Sequence, residues 1–138
     1  MNIQYQHTAI RTADIWRAIE FYQALGFELG TRFTTGATLG CWLEGNGTQL
    51  ELIQIPEPQP APDCFFDQHY VGYYHLSFRV ADLALSLQQL TTSLSKLRVL
   101  LKPTTQQIGD RDYLVAFIAD PDGLPIELMQ MISPDATA

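Results

Sequence analysis

His7-Thr-Ala-Ile-Arg11 and His75-Leu-Ser-Phe-Arg79 stand 68 residues apart, each opening on a histidine, closing on an arginine and leading into a capped helical run. Self-similarity at a long period marks a duplicated structural unit. Around the first copy, residues 3–11 alternate as a strand does, and residues 12–14 supply a polar cap. In the helical run 15–25 that follows, Ile15, Ile19, Tyr22 and Leu25 recur at three- and four-residue steps and form one stripe able to lie against a sheet. Gly26 stops the helix. Strand-like stretches follow at 27–33, 37–44 and 48–55, separated by Thr-Thr-Gly and Gly-Asn-Gly turns, which gives the order β-α-β-β-β.

The order then returns. Pro56, Pro58, Pro60 and Pro62 remove backbone donors and suit an extended connection between two units. Beyond it come a strand at 74–80, a cap at Asp82, a helix at 83–97, and strands at 99–102, 113–119 and 125–131. Asp120-Pro-Asp-Gly123 marks the last hairpin, because proline presets one turn dihedral and glycine accepts a positive one. The expected fold is α+β, with module one at 1–56, a connection at 57–73 and module two at 74–132 within a single domain spanning 1–138.

Size and composition agree with a folded domain. The 138 residues are 46% hydrophobic and 17% charged, enough apolar surface to offset chain entropy without disulfide staples. Eight basic against fifteen acidic residues give a net charge of −7, which repels phosphate backbones and anionic lipid headgroups, so neither nucleic acid nor membrane is an expected partner. No apolar run approaches the roughly 20 residues that span a bilayer, and the first residues lack a basic and apolar leader, so the expected location is cytoplasmic. Cys41 and Cys64 form no CxxC motif and read as free thiols.

Each module pairs a histidine on its first strand with a glutamate on its last: His7 with Glu51, and His75 with Glu127. Glu51 lies within Leu50-Glu-Leu-Ile and Glu127 within Ile126-Glu-Leu-Met, where a buried and unpaired carboxylate is costly. One such glutamate on its own reads as a solvated strand position. A pair repeated in both modules reads as two imidazoles and two carboxylates, a mixed nitrogen and oxygen set suited to a divalent transition ion.

These residues, with Phe21-Tyr22, Leu25-Gly-Phe27, and the run from Phe117 through Asp120-Pro-Asp-Gly123 to Glu127-Leu, make the chain resemble the vicinal-oxygen-chelate (glyoxalase/bleomycin resistance/dioxygenase) superfamily over nearly its whole length. Within that superfamily it is most similar to the short bacterial form of glyoxalase I. The resemblance implies paired modules forming a curved mixed sheet around a metal cavity, with His7, Glu51, His75 and Glu127 as metal ligands. It further implies Ni²⁺ as the favoured ion, with Zn²⁺, Co²⁺ or Mn²⁺ as alternatives, and a homodimer whose sites are shared between chains. The small-molecule substrate is expected to be the hemithioacetal of a thiol with a 2-oxoaldehyde, converted to a 2-hydroxyacyl thioester. Metal chelation of the two vicinal oxygens would stabilise the ene-diolate, and Glu127 or Glu51, with Glu127 first, would move the proton as catalytic base.

Arg11 shares a strand face with His7 and is a candidate for gripping a substrate carboxylate, against the alternative of a surface arginine paired with an acid. Ile55 stands where the resemblance places an asparagine contact to glutathione, and Gly109-Asp-Arg111 replaces an aligned basic residue. Both departures put glutathione in question as the thiol. Trp42, Tyr113, Phe117 and Met129 read as core, and His69 as a loop residue. Competing readings are a methylmalonyl-CoA epimerase-like isomerase, an Fe(II) extradiol dioxygenase using His7, His75 and Glu127, and a metal-free binding protein of the bleomycin-resistance kind.

Overall fold

In the computed structural model, which describes residues 1–132, the first β-α-β-β-β unit is β1 (Thr8–Thr12), α1 (Ile15–Ala24), β2 (Glu28–Thr35), β3 (Thr38–Gly45) and β4 (Thr48–Gln54). The second is β5 (Leu76–Arg79), α2 (Leu83–Ser93), β6 (Arg98–Ile108), β7 (Arg111–Ala119) and β8 (Pro125–Met131). The fold is therefore α+β with a duplicated module. Met1–Pro60 forms one compact unit, and the chain from Ala61 onward forms the other.

Each unit carries a four-stranded mixed sheet, ordered β1-β4-β3-β2 in the first and β5-β8-β7-β6 in the second. The first strand of each module pairs in parallel with the last, and the remaining pairs are antiparallel. Alternation then sorts the side chains. Ile10, Thr12, Cys41, Leu43, Leu50 and Leu52 are buried on one face of the first sheet, while α1 lies against that unit's strands and buries Ile15, Ala18, Ile19 and Tyr22. The residues between them, including Ala9, Arg11 and Glu51, fall on the opposite face.

The helices are fixed by the same devices in both units. Asp14 caps α1, its side chain accepting from the backbone N–H groups of Trp16 and Arg17, and Asp82 caps α2 by accepting from Leu85. The Gln54 side-chain oxygen accepts the Ile15 N–H at 2.9 Å, and Gln130 does the same for Leu83 at 2.7 Å. A glutamine three residues after each glutamate thus ties the last strand to the start of the helix. The first helix ends at Ala24, Gly26 just beyond it has a φ of +101° that suits glycine, and the Tyr22 and Phe27 rings meet edge to face across the turn.

Several boundaries differ from the sequence reading. The first strands are shorter than 3–11 and 74–80, so His7 and His75 each stand immediately before a strand instead of within it. The second helix ends at Ser93, short of residue 97, because Thr91 and Thr92 turn their hydroxyls back onto the Leu87 and Gln88 carbonyls and Leu94 is extended. Strand β6 runs to Ile108, well past residue 102. Its pairing with β7 shifts between Leu101 and Thr104, around Pro103, which an edge strand tolerates at a bulge.

Candidate metal centre

Because Glu51 and Glu127 alternate with buried leucines and isoleucine, each projects on the face turned away from its helix. The parallel pairing sets Glu51 beside Ala9 and Glu127 beside Ser77, and so brings each glutamate close to the histidine at the head of the first strand. His7 Nε2 lies 3.9 Å from Glu51 Oε1, and His75 Nε2 lies 3.4 Å from Glu127 Oε1. The four side chains are partly covered: 29% and 18% exposed for His7 and Glu51, against 23% and 12% for His75 and Glu127. The second pair is the tighter and the drier.

Both separations exceed a good hydrogen bond. They suit two ligands of one ion instead, since donors about 2.1 Å from a tetrahedral or octahedral metal stand about 3.0 to 3.4 Å apart. The His75 pair is already at that spacing, and the His7 pair needs to draw in by about half an ångström. The His7 tautomer points the same way. Nδ1 donates to Gln6 Oε1 at 2.7 Å, so in the neutral ring Nε2 presents a lone pair toward the Glu51 carboxylate. With the ring neutral, a cation between that nitrogen and the carboxylate would stabilise both. The Nδ1 of His75 is buried and has no partner among the described residues.

Aromatic rings wall each pair. Trp42 lies opposite Glu51 on β3 and meets His7 edge to face, with centroids 4.6 Å apart. Phe117 lies opposite Glu127 on β7 and meets His75 in the same way at 5.0 Å. Histidine, glutamate and aromatic ring therefore repeat as a set of three. The second unit adds Tyr74, stacked on Phe117 at an interplanar angle of 20°, and Phe65, 5.0 Å from the Phe117 ring. Burial, with the negative charge of Glu127 beside it, pushes the Tyr74 hydroxyl pKa up.

Trp42 and Phe117 are the side chains that sequence reasoning set aside as core. A signal was present, because each is as far from its hairpin turn as its glutamate, Trp42 and Glu51 about Asn46-Gly47, and Phe117 and Glu127 about Asp122. Arg11 is exposed on the His7 face of β1 and makes no ion pair among the described residues. Gly109-Asp110 forms the two-residue turn between β6 and β7, with Gly109 at a φ of +63°, and Arg111 reaches Met131 Sδ. Tyr113 and Met129 are half-buried, and His69 is exposed in the connecting segment.

With the geometry in place, sequence comparison is decisive. The family profile described as the Glyoxalase/Bleomycin resistance protein/Dioxygenase superfamily matches residues 4–128. The chain belongs to that superfamily. No curated protein sequence matches it. Among solved structures it is similar to a glyoxalase family protein from Bacillus cereus, at 16% identity and a TM-score of 0.77, covering 96% of this chain and 97% of that one. A glyoxalase family protein from Enterococcus faecalis matches at 22% identity and 0.76, covering 92% and 97%. A glyoxalase I mutant from Zea mays matches at 19% and 0.72, covering 92% of this chain and 44% of the maize chain. At these identities the likeness is one of fold. Among the described residues no helix is long and apolar enough to cross a membrane.

Proposed function

We propose that this superfamily member is a metal-dependent lyase of the glyoxalase I kind, acting on the hemithioacetal of a 2-oxoaldehyde and a thiol. The observation that carries the reading is the repeated pair, His7 with Glu51 and His75 with Glu127, each with imidazole nitrogen facing carboxylate oxygen on the sheet face away from the helix. Among the described residues no three histidine, cysteine, aspartate or glutamate side chains come together as metal ligands. A four-ligand site accordingly takes both pairs, and the proposal draws the second from the partner in a symmetric homodimer. Ni²⁺ is the first choice of ion, with Zn²⁺, Co²⁺ and Mn²⁺ as alternatives.

When bound, the ion supplies Lewis acidity toward the two neighbouring oxygens of the substrate. The chain's own residues do the rest. A glutamate takes the proton from the thiol-bearing carbon and returns it to the adjacent carbon, while the hydroxyl hydrogen passes from one oxygen to the other. The change is an isomerisation, so atoms and electrons balance without a co-reactant. Trp42, Phe117 and Tyr74 limit water around the carboxylates, and Arg11 grips a carboxylate on the thiol.

The extra carboxylate favours this reading over a dioxygenase, which needs His7, His75 and Glu127 alone. The test is turnover of methylglyoxal with a panel of thiols by metal-loaded protein. Ile55 in place of a polar contact predicts glutathione turnover about ten- to a hundredfold below that with a better-matched thiol, the usual effect of losing a hydrogen bond to a charged group. Robust glutathione turnover refutes the specificity claim, and inactivity with every thiol refutes the lyase.

A further inference from the structure

The two halves of the candidate centre differ at one position. In the second unit Ser77 lies beside Glu127 in the parallel pairing, and its hydroxyl donates to Glu127 Oε1 at 2.7 Å. That oxygen is the one facing His75 Nε2. In the first unit the matching neighbour of Glu51 is Ala9, which has no hydroxyl to give, and among the described residues no hydrogen bond holds the Glu51 carboxylate.

Other features align with this asymmetry. Glu127 is 12% exposed and 3.4 Å from its histidine, while Glu51 is 18% exposed and 3.9 Å from its own. Phe117 and Tyr74 both meet the second histidine, whereas Trp42, with Phe33 beside it, meets the first. One carboxylate is pinned by a side chain and walled by rings. The other has no such hydrogen bond among the described residues.

Resting on the lyase reading, we infer that Ser77 is a positioning residue that divides the work of the two glutamates. It fixes Glu127 as the standing metal ligand and leaves Glu51 as the carboxylate that moves and carries the proton between the two carbons. This reverses the expectation, drawn from resemblance, that Glu127 is the first choice of base. A ligand that must leave the ion, accept a proton and release it needs freedom about its side-chain torsions. A hydroxyl clamped on the coordinating oxygen opposes that motion, and Glu51 has no such clamp.

The test exchanges the clamp between modules. Ser77→Ala and Ala9→Ser are compared with wild type by chelator competition for Ni²⁺ and by steady-state kinetics at saturating Ni²⁺, with Ser77→Thr restoring the hydroxyl. Removing a group that orients a metal ligand costs about ten- to a hundredfold in metal affinity. Ser77→Ala is therefore expected to bind Ni²⁺ at least about tenfold more weakly, and Ser77→Thr to recover the affinity. Ala9→Ser is expected to hold Ni²⁺ at least as tightly as wild type and lose about tenfold in kcat, as its new hydroxyl fastens Glu51. Wild-type Ni²⁺ affinity in Ser77→Ala, or wild-type kcat in Ala9→Ser, overturns the inference. A wild-type protein that binds Ni²⁺ but turns over no hemithioacetal overturns the lyase reading instead, and the Ni²⁺ affinity of Ser77→Ala still decides whether Ser77 positions Glu127.

Discussion

Replacing Gln130 with alanine should cost fold stability and leave metal affinity intact, because Gln130 belongs to the helix side of its sheet and Glu127 to the other. The Gln130 side-chain oxygen accepts the Leu83 N–H at 2.7 Å, and Leu83 is fully buried, so water cannot take over the bond once the amide is removed. An orphaned buried donor costs about 1 to 3 kcal/mol, and the alanine also gives up the packing of the glutamine stem. The expected loss is about 2 kcal/mol of unfolding free energy. In urea, the midpoint should fall while the dependence of free energy on denaturant stays unchanged, since the exposed surface is the same. Gln54→Ala should behave alike with a smaller loss, its bond being 2.9 Å and Ile15 being 4% exposed. A loss below about 0.3 kcal/mol for Gln130→Ala, or a tenfold fall in Ni²⁺ affinity at full folding, would show that the two faces are not the independent parts described above.

The remaining predictions concern the assembled site. Mixing His7→Ala chains with Glu127→Ala chains should restore activity in heterodimers, which carry one intact site if module one of each chain meets module two of its partner; no recovery despite proven subunit exchange would place the ligands within one chain. Arg11→Ala should raise KM about tenfold for a thiol bearing a carboxylate and leave kcat nearly unchanged, and an equal effect on a neutral thiol would remove Arg11 from the site. Burial raises the Cys41 thiol pKa, so native protein should show one thiol, Cys64, reacting quickly with an aromatic disulfide, and the second only on unfolding.

Much of this arrangement was legible in the sequence because it depends on local pattern. The alternation Leu50-Glu51-Leu52 already sets Glu51 apart from the buried face, and the repeated histidine segments already imply two modules. Turn chemistry was legible for the same reason: Asn46-Gly47, with φ values of 53° and 72°, forms the two-residue turn that its residues favour. The helix end at Ser93 was not, because it depends on Thr91 and Thr92 hydroxyls competing for helical carbonyls, a choice that periodicity does not record. Nor was the far half of β6, beyond residue 102, where Pro103 and a polar Thr-Thr-Gln-Gln run hide an edge strand whose partner supplies the pairing.

The candidate site divides in the same way. The four candidate ligand positions could be named from repetition, and the rings beside them, Trp42 and Phe117, could have been found by reflecting each glutamate through its hairpin turn. The hydroxyl of Ser77 on Glu127 could not. It joins residues 50 apart across a parallel strand pair, where no turn fixes the register and only the folded sheet brings the two together.

The central claim is that the two histidine and glutamate pairs hold a divalent ion, and its most direct test is elemental analysis of the purified protein. After expression in medium supplied with Ni²⁺, Zn²⁺ and Co²⁺, the account predicts about one divalent ion per chain in wild type and almost none in His75→Ala, since a four-ligand site loses most of its affinity with one imidazole. Metal-free wild-type protein would contradict it.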